Sequence, residues 1–121
     1  MNHKDDYQRL LAKQLARNEK VWPALQNLGI SDTTRLQLDF CYFASSEASS
    51  QHLILFLRAE TDYDVELRSD FSAEGEWLVA GHTQKTTVSK EVLDHWVEWM
   101  AATGLAHGCV FDGWGASLEI D

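Results

Sequence analysis

The chain has 121 residues, of which 45% are hydrophobic and 24% charged, and it carries a net charge of −9 at pH 7. That is the length of one domain, enough to bury a core without disulfide or metal staples. The acidic balance excludes a protein built to grip a phosphate backbone, which needs Lys and Arg to displace counterions, and no apolar run approaches the ~20 residues of a membrane span.

Tyr7, Leu10, Leu11, Leu15, Val21 and Trp22 recur at helical spacing and predict an amphipathic helix over residues 5–21. Arg9, Lys13, Arg17 and Lys20 line its opposite face as a solvated stripe. Pro23 is expected to break the ladder, with a short turn through Ala24, Leu25, Gln26 and Asn27 before Gly29 ends the helical region. Leu36, Leu38, Phe40 and Tyr42 then alternate with Gln37, Asp39 and Cys41, which predicts a half-buried strand over 36–43. Ser45 or Ser46 can cap a helix over 46–59, on which Ala48, His52, Leu53, Phe56 and Leu57 share a face.

Alternation returns from Asp64 to Arg68 and from Trp77 to His82, predicting strands over 63–68 and 77–83 joined by a hairpin link. Ser89 is the N-cap of a helix over 89–103, with Val88 and Leu93 as its staple and Gly104 as its left-handed C-terminal cap. Val92, Leu93, Trp96, Val97 and Met100 form the inner face of that helix. A last strand over 109–119 is interrupted by Asp112-Gly113-Trp114-Gly115. Glycine weakens a strand unless the backbone must bulge or approach something closely, so this stretch predicts a kink that re-aims the indole. Asp112 is expected to hold the Gly113 turn through side-chain-to-backbone hydrogen bonds, and Trp114 to pack with one edge left available.

After the first helix the order is strand, helix, strand, strand, helix, strand. This predicts an α+β protein with a ferredoxin-like sandwich, βαββαβ: a four-stranded antiparallel sheet with two helices on one face, plus an N-terminal helix. Residues 1–121 form one expected domain, with 1–30 as a helical extension and 31–121 as the core.

Signals of catalysis are missing from the sequence: there is no Gly-rich phosphate loop, Gly-x-Ser-x-Gly elbow or His-Glu-x-x-His helix. His95 with Glu91 and Glu98 reads as surface charge pairing rather than a metal site. Cys41 and Cys109 belong to strands expected to be neighbours, but their spacing signals neither zinc nor catalysis. The expectation is no enzyme, no metal and no cofactor. The third strand, Glu76 to Gly81, lacks the basic aromatic motif of RNA-recognition sheets, so no direct nucleic-acid binding is expected. Residues 1–6 carry no apolar leader core, and two cysteines fit a reducing compartment, so the expected location is the cytoplasm.

Charge is unevenly spread. Residues 1–30 hold five basic and three acidic side chains (+2), and residues 31–121 hold five basic and sixteen acidic (−11). The stretch from Glu60 to Glu76 has seven carboxylates against Arg68. Such a body suits a basic protein partner. The candidate binding residues are Asp62, Asp64, Glu66, Glu74 and Glu76, together with Asp112, Gly113, Trp114 and Gly115.

Three stretches resemble the regulator of ribonuclease E activity B family of bacterial cytoplasmic proteins. Leu28 to Asp32 followed by Arg35 to Phe43 is similar to that family's approach to its first strand, and Val79 to Trp96 to its third strand, turn and second helix. Phe111-Asp112-Gly113-Trp114-Gly115 matches the aromatic-Asp-Gly-Trp-Gly near the family's C-terminus, although Ala116 stands where a threonine is common. The resemblance covers roughly residues 20–120. It implies a ferredoxin-like fold, no enzymatic activity, and binding to ribonuclease E that slows or re-targets RNA decay. Two other readings use the same residues: an immunity-type inhibitor of a different basic protein, or a small-ligand pocket around Trp77, Trp114 and the tryptophans of the second core helix.

Overall fold

The computed structural model describes residues 3–31, 33–68 and 76–117. In chain order these form α1 (His3–Asn27), β1 (Arg35–Ala44), α2 (Glu47–Glu60), β2 (Asp64–Arg68), β3 (Trp77–His82), β4 (Thr86–Thr87), α3 (Lys90–Ala106) and β5 (Cys109–Ser117). The protein is α+β, with three helices against an open antiparallel five-stranded sheet among the described residues. No described helix is long and apolar enough to cross a membrane.

Helix α1 corrects the expected break, because it continues through Pro23 to Asn27. Pro23 and Glu19 are both exposed, so the Glu19 carbonyl that loses its partner reaches water. Beyond the proline, Leu25 and Ile30 are buried, and the Ile30 amide donates to the Leu25 carbonyl at 3.0 Å. Burying two large aliphatic side chains offsets a missing helical bond. Gly29, at φ 92°, then ends the helical region as expected.

Strand β1 is the axis of the sheet. It pairs with β3 on one side, from Asp39 opposite His82 to Ala44 opposite Trp77, and with β5 on the other. β2 pairs with β3, Asp64 lying opposite His82. The short β4, absent from the sequence reading, takes up β1 where β3 leaves it, at Arg35 and Leu36. Thr83 bridges the gap: its amide donates to the Leu38 carbonyl at 2.8 Å, and its hydroxyl accepts from the Leu38 amide at 3.1 Å.

The pleat separates two faces. Leu36, Leu38, Phe40, Tyr42 and Ala44 are buried with Val65, Val79, Cys109 and Phe111, beneath Leu53, Leu57, Leu93, Val97 and Met100 of α2 and α3. Tyr42 fixes α3 on the sheet, donating its hydroxyl to the Met100 carbonyl at 2.7 Å. Its ring occupies the space at Gly104, where an added Cβ would stand 2.6 Å from a ring carbon. Gly104 is therefore a point of close approach inside α3, not the expected cap; the left-handed residue is Gly108, at φ 73°.

The expected N-caps form. Ser46 Oγ accepts from the Ser49 amide at 3.1 Å, and Ser89 Oγ from the Val92 amide at 3.2 Å, while Val88 and Leu93 are both buried.

Candidate functional site

The Asp-Gly-Trp-Gly stretch makes a β-bulge. β1 and β5 keep one register from Ala44 opposite Cys109 to Tyr42 opposite Phe111, then another from Cys41 opposite Gly113 onward. Asp112 is the additional residue. Phe111 and Trp114 are three apart and would face opposite sides of a regular strand; the bulge turns both inward, and Trp114 is 5% exposed. Gly113 holds φ 151°, a value L side chains rarely adopt. The Asp112 side chain does not brace the turn as expected, because its Oδ2 instead takes the Cys41 S–H across the strands at 3.5 Å.

Three residues of α1 receive this segment. Gln14 Nε2 donates to the Asp112 carbonyl at 3.0 Å, and the Trp114 indole N–H donates to Asn18 Oδ1 at 2.9 Å. The Arg17 guanidinium lies 5.0 Å from the centre of the Trp114 ring, which also packs nearly perpendicular to Trp96. Asn18 passes the chain of bonds to α3, its Nδ2 donating to Asp94 Oδ1 at 3.0 Å. Lys90 Nζ donates to Asp94 Oδ2 at 3.0 Å and pairs with Glu19 at 2.6 Å. Partial burial pushes the Asp94 carboxyl up, but hydrogen bonds from Asn18 and Lys90 outweigh it and hold the group below its usual range. Trp114 is thus the socket that seats α1.

The opposite face of the sheet lies away from α2 and α3, and α1 reaches its β5 margin through Gln14 and Arg17. The registers place its side chains in three rows across the strands: Val110, Phe43, Leu78 and Arg68; then Gly113, Cys41, Ala80 and Glu66; then Gly115, Asp39, His82 and Asp64. The small middle row floors a concavity of about 550 Å³ bounded by Asp39, Glu66, His82 and Asp112, with Arg17 and Arg68 also lining it. His82 Nε2 meets Asp64 Oδ2 at 2.9 Å, and Arg68 meets Glu66 at 3.4 Å. Asp39 lies over Gly115, where a Cβ would stand 2.8 Å from its Oδ1. No cation among the described residues forms an ion pair with Asp39 or Asp112.

This electrostatic setting acts on Cys41. Burial, then the charge and hydrogen bond of Asp112 and the charge of Asp39, push the thiol up to about 11. A nucleophilic cysteine needs the reverse, a cationic setting that favours the thiolate. Cys109, opposite Ala44 on the buried face, is pushed up to about 11 by burial. Both thiols are free, and they face opposite sides of the sheet. Among the described residues, no three His, Cys, Asp or Glu are grouped to hold a metal ion.

Of the residues singled out from sequence, Glu66, Asp112, Gly113, Trp114 and Gly115 line one concavity, and Asp64 borders it through His82. Asp62 lies apart, beside a cavity of about 310 Å³ lined by Tyr63, Val88, Val92 and Trp96. Glu76 is exposed ahead of β3, and Glu74 lies outside the described residues. Sequence reasoning missed Asp39, Cys41 and His82, although alternation had already put Asp39 and Cys41 on the face away from the core. It also missed Gln14 and Asn18, whose i, i+4 spacing is the signal that places them together on α1.

Comparison with protein-family models gives no match for this chain, and comparison with curated proteins gives no significant one.

Proposed function

We propose that this chain is a non-catalytic protein-interaction module that engages a basic segment of ribonuclease E and slows or redirects RNA decay from the bacterial cytoplasm. One observation carries the reading: Asp39, Asp64, Glu66 and Asp112 gather on the sheet face opposite α2 and α3, where they outnumber the cations Arg17 and Arg68. Carboxylates so placed attract an arginine-rich segment and repel RNA, so the module would compete with RNA for the nuclease rather than bind the RNA. The resemblance around Phe111 to Gly115 supplies the identity of the nuclease. The same family implies a ferredoxin-like arrangement, and the order β5-β1-β3-β2 with α2 and α3 over the buried face supports it.

The test is a purified assay. The protein should bind ribonuclease E at low salt and lower its cleavage of RNA, without retaining RNA itself. Undetectable affinity at low salt would remove the nuclease from the reading. Capture of a different basic protein would transfer the role to an inhibitor of that protein.

A further inference from the structure

We infer that the open sheet face is a two-part docking surface for a polypeptide segment carrying an arginine or lysine and a large apolar side chain roughly 13 Å apart. The inference rests on the proposed role in one respect, that the partner is a basic protein; what it adds is the second, apolar half of the contact.

The three rows carry the argument. Asp39 and Asp64 belong to one outer row, with Glu66 and Asp112 beside them. The other outer row brings Val110, Phe43 and Leu78 together on neighbouring strands. Val110 is 54% exposed and Phe43 36%. One exposed apolar side chain is ordinary, but Val110 and Phe43, with the half-buried Leu78 beside them, make an apolar patch across three strands that ends at Arg68. Between the rows, Gly113, Cys41 and Ala80 leave a low floor, with Arg17, Glu66 and Arg68 also lining the concavity. Asp39 and Phe43 are four residues apart on β1, about 13 Å at ~3.3 Å per residue, so an extended segment spans both rows with residues i and i+4 on its same side.

Charge selects the occupant. A second copy would bring the same excess of carboxylates, Asp39, Asp64, Glu66 and Asp112 over Arg17 and Arg68, and a nucleic acid would bring phosphates. A cationic segment with an apolar neighbour complements both halves, the apolar contact supplying residence and the charges steering encounter.

Fluorescence anisotropy with labelled synthetic peptides tests this on the full chain at low salt. One peptide carries Phe and Arg four residues apart on a Gly/Ser background; a second has Ser for the Phe, and a third has Ser for the Arg. The first should bind about tenfold more tightly than either other. Val110→Thr or Phe43→Thr, which keep residues that strands accept, should erase the advantage of the Phe. The pair Asp39→Asn and Glu66→Gln should cut that of the Arg and flatten the salt dependence, and each variant should melt as the parent does.

Equal binding of all three peptides, no binding of any, or variants that leave the pattern intact would overturn the inference. Ribonuclease E, titrated alongside, separates the two readings. If the nuclease binds the parent and these variants alike, the surface is wrong and the nuclease role stands. If the peptide pattern holds and the nuclease does not bind, the surface stands and the partner is another basic protein.

Discussion

The indole N–H of Trp114 donates to the side-chain carbonyl of Asn18 at 2.9 Å, and Asn18 is fully buried. This one bond ties the N-terminal helix to the last strand, 96 residues later in sequence. Asn18 also donates to Asp94, so Asn18→Ala leaves both the indole and a carboxylate oxygen without a partner. The expected cost is about 1–3 kcal/mol. Gln14→Met makes the contrast: Gln14 Oε1 is already buried without a partner, and the exposed Asp112 can turn its carbonyl to water. That change should cost no more than about 1 kcal/mol, and urea unfolding of the two variants measures the difference.

Three glycines should respond to alanine in a fixed order. Gly104→Ala drives a methyl into the Tyr42 ring at 2.6 Å and should cost most, about 1–3 kcal/mol. Gly113→Ala meets only Gln14, at 3.8 Å, so its cost comes from the φ of 151° and should be about 1 kcal/mol. Gly115→Ala presses only on the end of the Asp39 side chain, which can swing away, and should cost about 0.5 kcal/mol or less. Thermal melts that reverse the first and last would contradict the packing described for Tyr42.

Alkaline pH should weaken the fold before it weakens a comparable protein without buried thiols. Cys41 and Cys109 are both pushed up from 9.0 to about 11, and burial pushes the Tyr42 phenol well above its usual value. Between pH 9 and 11 the unfolded chain has released thiol protons that the folded chain still holds. Stability therefore falls as pH rises across that window. The urea midpoint should drop over the same range, and Cys109→Ala should flatten the drop.

Acid acts through Asp94 with the opposite sign. Its carboxyl is held below the usual 3.8, so the stabilisation is full above that value and is lost as pH falls through the lowered one. Asp94→Asn should flatten the acid limb of the stability curve.

Partner binding should weaken steeply with salt, since screening shortens to about 8 Å at physiological ionic strength. Charge reversal at Asp62, Asp64 or Glu66 should slow association more than it speeds dissociation. Asp64 and Glu66 should have the larger effect, because Asp62 lies beside a different cavity. Stopped-flow rates at two salt concentrations check both statements.

Period-two alternation marked β1, β2 and β3 within a residue or two, and the serine caps placed α2 and α3. These signals are local, so one sequence carries them well. Pro23 misled because the burial of Leu25 and Ile30 is a tertiary effect that offsets a local penalty. Gly104 misled for a similar reason: nothing in its neighbours announces that a tyrosine ring from β1 must fit there. The kink at Gly113 was legible from composition, but its result, two aromatic rings on one side, needed the register against β1. The open face was only half legible, because Asp39 and His82 meet through pairing between distant strands.

A sheet that does not close has two free margins, and each invites another strand to add itself. β2, bonded only to β3 among the described residues, is five residues long and bears Asp64, Glu66 and Arg68, charges that a recruited neighbour would have to bury. β5 is longer and less charged, and its defence comes from elsewhere in the chain. The bulge at Asp112 interrupts the regular run of backbone groups, and Gln14 takes a carbonyl there that an added strand would use. The seat that holds α1 is thus also a stopper against edge-to-edge sheet growth.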